Sequence, residues 1–221
     1  TGKPLGDAKV EVVLGLDHIH WAEKNASKVL KRRTVLPGML MSNHHATVEY
    51  EPLGVVGIIG PWNYPVFTPM GSIAYALAAG NAVVFKPSEY TPGVGKFLVD
   101  AFVEAVPEHP VFSLITGDGA TGAALCGADI QKLAFTGSAA TGRRVMAACA
   151  ERLTPVLIEC GGKDACIVDA DADLAAAADA VVWGAMSNAG QTCVGVERVY
   201  VHASVADDLI GRVRTLAEGL A

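Results

Sequence analysis

Leu53-Gly54-Val55-Val56-Gly57-Ile58-Ile59-Gly60-Pro61-Trp62-Asn63-Tyr64-Pro65 is a short apolar run that stops at a Gly-Pro pair and opens into a polar, aromatic turn. The run is apolar at odd and even positions alike, so the strand it predicts is buried on both faces. Residues 69–79 follow with helical spacing and stop at Gly80-Asn81. Residues 82–85 read as a second buried strand, stopped at Lys86-Pro87. The alternation continues: helix 94–106, strand 111–115, short helix 121–126, strand 133–135, helix 139–150 and strand 156–158. Strands that are apolar throughout and alternate with helices predict a parallel sheet covered on both sides.

In such sheets ligands bind at the carboxyl ends of the strands. The turns there are Pro61-Trp62-Asn63-Tyr64, Lys86-Pro87-Ser88-Glu89, Thr116-Gly117-Asp118-Gly119, Thr136-Gly137-Ser138 and Glu159-Cys160-Gly161-Gly162. All of them carry polar or glycine residues where a ligand would lie.

Upstream of this series the first thirty residues read as helix, with Val12, Val13, Leu16, Ile19, Ala22 and Ala26 at three- and four-residue steps. Residues 31–50 hold no helical period and end in a strand-like stretch at 46–50. Lys31-Arg32-Arg33 reads as a solvated face. Downstream of Gly162 the register changes to strand 165–168, helix 174–187, strand 199–202 and helix 205–221. This predicts two domains: 1–159, and 160–221 as the start of a second α/β domain.

The chain has 221 residues, of which 51% are hydrophobic and 18% charged, enough for a substantial core. A net charge of -6 disfavours a nucleic-acid groove. The apolar stretches are broken by Gly, Pro and Asn, so no membrane span is expected. Five cysteines, an odd number with no C-x-x-C pair, argue against a disulfide framework or a zinc site. No signal-like segment opens the chain, and the expected location is the cytoplasm.

Cys126, Cys149, Cys160 and Cys166 read as small core residues in or beside apolar elements. Cys193 differs. It closes the polar turn Asn188-Ala189-Gly190-Gln191-Thr192-Cys193 between an apolar helix and an apolar strand. Glu159 stands before a glycine pair. A thiol nucleophile and a carboxylate base, both on glycine-marked turns, suggest covalent catalysis in two stages.

Other patterns are weaker. Gly117-Asp118-Gly119-Ala120-Thr121-Gly122 satisfies G-x-G-x-x-G but follows the third strand rather than the first. Gly137-Ser138-Ala139-Ala140-Thr141-Gly142 opens a helix and is the better phosphate candidate, with an ordinary Ser N-cap as the alternative. Asp169, Asp171 and Asp173 begin like a calcium loop, but Leu174 and Ala180 stand where Gly and Glu belong, so a charged helix start is expected. His44-His45 side chains diverge in a strand. His202 has no evident orienting group for a dyad with Cys193.

Five of these segments, Pro61-Trp62-Asn63-Tyr64-Pro65, Lys86-Pro87-Ser88-Glu89, Phe135-Thr136-Gly137-Ser138, Glu159-Cys160-Gly161-Gly162-Lys163 and Gly190-Gln191-Thr192-Cys193, occur in the order of the aldehyde dehydrogenase superfamily, which the chain resembles over nearly its whole length. The resemblance implies a Rossmann-like NAD(P)-binding domain at 1–159 and the start of a catalytic domain at 160–221. It implies oxidation of an aldehyde to a carboxylic acid through a cysteine thiohemiacetal and thioester, in a homo-oligomer. Cys193 resembles the nucleophile, Glu159 the base that activates water, and Asn63 the amide that, with the Cys193 backbone N–H, holds the oxyanion. Lys86 and Glu89 resemble the adenosine-ribose grip, with Ser88 beside them. Gly137 and Ser138 resemble the pyrophosphate turn, and Trp62 the cofactor-cleft lining. Glu89 would repel a 2′-phosphate, which favours NAD; Lys86 with Ser88 would tolerate NADP.

Cys160 replaces the apolar residue often found there. The family's downstream Glu-x-Phe-Gly-Pro segment and oligomerisation hairpin do not occur, so the expectation is a central portion of such an enzyme. The alternatives are a coenzyme A-acylating relative, which Glu159 disfavours, and a non-catalytic nucleotide-binding fragment. Trp183 and Met186 are candidates for an aldehyde tunnel or for the core.

Overall fold

A computed structural model describes residues 1–220. They form two compact units, one of Thr1 and Ala8–Glu159, the other of Gly2–Asp7 and the described residues from Cys160 onward. The first unit opens with α1 (Leu5–Val29, its first turn grouped with the second unit) and an antiparallel pair, β1 (Arg33–Val35) and β2 (Ala46–Val48). Then come β3 (Val55–Ile59), α2 (Phe67–Ala78), β4 (Ala82–Lys86), α3 (Pro92–Ala105), β5 (Phe112–Leu114), α4 (Gly119–Cys126), β6 (Lys132–Thr136), α5 (Ala139–Ala150) and β7 (Val156–Glu159).

β3 to β7 make one five-stranded sheet in the order β5-β4-β3-β6-β7, every pairing parallel. The chain builds outward from β3 to β5, then returns through α4 to the other side of β3. That reversal makes the sheet doubly wound. The pleat sends alternate residues of β3 to opposite faces. Val56 and Ile58 join a core with Met70 and Ile73 of α2 and with Val83, Phe85 and Phe112. On the other face, a Cβ placed on Gly57 would meet Leu125 of α4 and Ile130, and the Cδ1 of Ile59 faces Gly122 of α4. Helices therefore cover both faces of the central strand. β7, at the sheet edge, departs from the expected two-sided burial: Leu157 and Glu159 are exposed while Val156 and Ile158 are half-buried.

α1 is a helix as predicted, but its expected apolar face is only partly buried, at Ala22 and Ala26. Val13, Leu16 and Ile19 of the periodic apolar set are exposed, and the buried residues are Glu11, Gly15 and Ala22. The cause is polar. Glu11 Oε1 accepts hydrogen bonds from Val66 N at 2.7 Å and Phe67 N at 3.2 Å, the start of α2. The His18 ring stacks on Phe67 at 5.0 Å, and its Nδ1 lies 2.9 Å from the Tyr75 hydroxyl. β1 also escaped the sequence reading; Arg32 beside it pairs with Glu49 at 2.6 Å, at an exposed site.

The second unit is a β-α-β-α run: β8 (Asp164–Val168), α6 (Leu174–Met186), β9 (Val196–Val201) and α7 (Ala206–Glu218), with β8 and β9 parallel. Val168, Ala178 and Leu209 form its small core.

Cys126 and Cys149, on adjacent helices of the first unit, are 1% and 0% exposed, and each thiol perturbs the other. Burial, with the neighbouring thiol second, pushes Cys126 up to about 11, and burial also raises Cys149. Cys160 and Cys166 are only half-buried, less than expected of core residues.

Two outcomes follow from this packing. Phe85→Ala, at a fully buried position, is expected to destabilise the first unit by about 3–5 kcal/mol, read from the urea midpoint at constant slope. A thiol whose folded pKa is raised keeps its stabilisation below the unfolded value and loses it as pH rises. Denaturation midpoints should therefore fall between pH 9.0 and about 11. Cys126→Ala should flatten that fall.

Candidate active site

β3 ends at Ile59 and runs into buried Gly60 and Pro61, partly exposed Trp62 and half-buried Asn63. Pro61 and Pro65, both buried, fix φ on either side of Asn63. Tyr64 O accepts from Thr68 N at 3.3 Å, so the turn passes directly into α2. Val66, the N-cap of α2, supplies no side-chain cap; Glu11 does so from α1.

β4 ends at Lys86, which is 4% exposed. Its stem lies against Gly122 of α4, 3.8 Å from where a Cβ would stand. Its Nζ donates to Pro87 O at 3.2 Å and sits 3.9 Å from Glu89 Oε2. Ser88, also buried, donates from Oγ to Glu89 Oε2 at 3.4 Å and accepts from Tyr90 N at 3.3 Å. An ammonium donor and a carboxylate acceptor thus stand side by side, the pair that a vicinal diol needs.

At the end of β6, a Cβ on Gly137 would lie 2.6 Å from Phe135 Cζ, so the turn admits only glycine without a shift. Ser138 caps α5, accepting from Thr141 N at 3.2 Å. The exposed first residues of α5 present a helix N-terminus suited to an anion. Gly137 N donates to the backbone oxygen of Glu159 at 3.0 Å, tying this turn to the last residue of β7. The Glu159 side chain belongs to an exposed residue.

Trp62, Asn63, Lys86, Ser88, Glu89, Gly137, Ser138 and Glu159 therefore gather along one edge of one parallel sheet. β3 and β6, which flank the reversal of strand order, carry Asn63 and Ser138. This is where doubly wound sheets bind nucleotides, and a diol grip beside an anion-binding helix end fits a dinucleotide.

Cys193 lies in the second unit, on a turn of unusual backbone. Asn188 (φ 53°), Ala189 (φ 56°) and Gly190 (φ 74°) are all left-handed. Asn188 is 5% exposed, and its Nδ2 donates to Gln191 O at 3.3 Å. Thr192 Oγ1 donates to Ser187 O at 3.2 Å. In the same unit, a Cβ on Gly161 would stand 3.8 Å from Cys193 Cα, so the glycine pair runs alongside the nucleophile candidate. Cys193 itself is exposed, unlike Cys126, Cys149, Cys160 and Cys166.

The weaker patterns have structural explanations. Gly117 (φ 149°) faces Thr121, whose Oγ1 would clash with an added Cβ, and Asp118 caps α4 through Ala120 N at 2.9 Å. This glycine motif follows β5, at the sheet margin away from the reversal. Asp173 caps α6, accepting from Ala175 N and Ala176 N. The Nδ1 of His202 is engaged by Ser204 at 2.8 Å. Trp183 and Met186 are exposed and not part of the core. Among the described residues no cluster of His, Cys, Asp and Glu could hold a metal ion. No helix among them is long and apolar enough to cross a membrane. Sequence reasoning missed Glu11, one of four acids in α1 and the buried one, and gave Asn188 no role.

The family model described as "Aldehyde dehydrogenase family" matches residues 1–221. The protein named "Probable coniferyl aldehyde dehydrogenase" from Pseudomonas aeruginosa is 38% identical over 209 residues, covering 95% of this chain and 44% of that protein. The crystal structure of an NAD-dependent aldehyde dehydrogenase from Sinorhizobium meliloti superposes with a TM-score of 0.92 at 35% identity, covering 100% of this chain and 44% of the other. An NADP-dependent enzyme of E. coli gives a TM-score of 0.91 at 33% identity, covering 98% and 45%. The chain thus spans about half the length of the relatives it matches. With its sheet order, its strand-end residues and a family match along its whole length, this chain belongs to the aldehyde dehydrogenase family.

Proposed function

We propose that this chain carries the dinucleotide-binding unit and the nucleophile-bearing segment of an enzyme that oxidises an aldehyde to a carboxylic acid. The observation that carries the reading is Cys193, the exposed cysteine, mounted on a left-handed turn. In this reading Lys86, Ser88 and Glu89 hold the adenosine ribose, Gly137 and Ser138 hold the pyrophosphate, and Trp62 lines the cofactor site. Residues 1–159 are the cofactor-binding domain and 160–221 belong to the catalytic one. NAD is preferred, because Glu89 places negative charge where a 2′-phosphate would come.

The Cys193 thiolate adds to the aldehyde carbon, forming a C–S bond and an oxyanion. Asn63 and the Cys193 backbone N–H donate to that oxyanion. The bound nicotinamide supplies the hydride acceptor that raises the carbon to the acid oxidation level. Glu159 then takes a proton from water, whose oxygen attacks the thioester. The C–S bond breaks, the acid leaves and the thiolate returns.

Each role has its own signature. With NAD and hexanal or benzaldehyde as probes, Glu159→Gln should give one burst of reduced cofactor with little turnover after it; steady-state activity near wild type would remove Glu159 as the base. Asn63→Ala should slow the burst by about 10²–10³, the usual effect of losing one oxyanion donor. Acid should form without coenzyme A, and a product that requires coenzyme A would favour the acylating alternative. Glu89→Gln should raise kcat/KM with NADP relative to NAD by roughly tenfold, equivalent to about 1.4 kcal/mol. An unchanged ratio would move the cofactor preference elsewhere.

A further inference from the structure

Glu11 is a buried carboxylate that the chemistry above does not use. It is 3% exposed and lies 55 and 56 positions before the backbone groups it binds. A buried acid is retained where its charge is answered. Here the answer is the N-terminus of α2: Val66 N and Phe67 N both donate to Oε1, and the helix dipole favours the negative charge. α2 has no acidic residue in its first turn and no side-chain cap of its own. Glu11 is therefore the acid observed at that end.

The segment it holds is the one that carries Asn63. Between β3 and α2 the chain has two buried prolines, Pro61 and Pro65; Gly60 N donates to Lys86 O at 3.0 Å at the strand end, and Tyr64 O accepts from Thr68 N at 3.3 Å where the turn enters α2. Prolines set φ but cannot donate, so they do not anchor the turn to the fold. His18, one α1 face below Glu11, stacks on Phe67, and Tyr64 meets the same ring edge-on at 6.4 Å. Gly15, between Glu11 and His18, lets α1 approach Val66, whose Cγ1 would lie 3.2 Å from an added Cβ. α1 thus grips the residues just after Asn63 by a charge, a close backbone approach and a ring stack.

We infer that Glu11 is a positioning residue for Asn63: by fixing the start of α2, it sets where the Asn63 amide points. The inference rests on the oxyanion role assigned to Asn63 above. Displacement of a catalytic donor by about 1 Å from a remote change can cost about 10²-fold, so the effect is measurable.

The test is a double-mutant cycle on the burst of reduced cofactor, in the full-length protein with NAD and benzaldehyde, with the burst read as a first-order rate constant, so that any unfolded fraction lowers its amplitude and not its rate. Glu11→Asp retracts the carboxylate by one methylene. It should slow the burst by roughly tenfold to a hundredfold with Asn63 present, and by less than about twofold in the Asn63→Ala background. Glu11→Gln keeps an oxygen acceptor and should stay within about threefold of wild type. The KM for NAD should move less than about twofold throughout. Equal slowing in both backgrounds, no slowing by Glu11→Asp, or a Gln variant as slow as the Asp variant would each overturn the positioning role. An Asn63→Ala protein with an unchanged burst would instead overturn the oxyanion assignment itself, and so separates the two failures.

Discussion

Parallel pairing of β3 with both β4 and β6 is the constraint on which the rest of the first unit depends. A parallel neighbour cannot be reached by a tight hairpin, so each connection must carry a helix back across the sheet. Every strand then ends on the same edge. Residues separated by as many as 97 positions, Trp62 and Glu159, come to that edge because their strands end there. The pleat completes the arrangement. Because Val56 and Ile58 take one face and Gly57 and Ile59 the other, α2 and α4 can both pack on the central strand.

The sheet was legible because its strands are bounded by glycine and proline and are apolar on both parities. Residues 139–150 were read as a helix and α5 spans Ala139–Ala150; Ser138 with its hydroxyl cap marks the start. The strand-end residues were legible for the same reason, since polar side chains stand out where a structural turn would not need them. β1 was not legible: three residues paired to three others have no periodicity to read. The orientation of α1 was misleading. Apolar residues at helical spacing predict an inward face, but here one buried carboxylate and a glycine outweigh Val13, Leu16 and Ile19. No sequence pattern reports a side chain whose partners are backbone N–H groups more than fifty residues away.

The strand-end groups divide by charge. Lys86 lies buried with its stem against Gly122, so its ammonium cannot swing into solvent; it can be shared only among Pro87 O, Glu89 and whatever lies at the sheet edge. Glu89, half-exposed, completes the pair from the surface side. The donor of the pair is fixed by burial, and the acceptor is left to adjust at the surface.

The turn ahead of Cys193 has a mirror-image alternative. Left-handed backbone disfavours most non-glycine residues by about 1–2 kcal/mol but is accessible to asparagine, so the cost falls mainly on Ala189. Unopposed, that difference would favour a right-handed residue there by roughly 5- to 30-fold. The buried Asn188 amide and the Thr192 hydroxyl, each bonded to a backbone oxygen of the same turn, are the observed counterweights. The backbone that presents the exposed Cys193 thiol therefore depends on side-chain hydrogen bonds of Asn188 and Thr192 as well as on its own φ preferences.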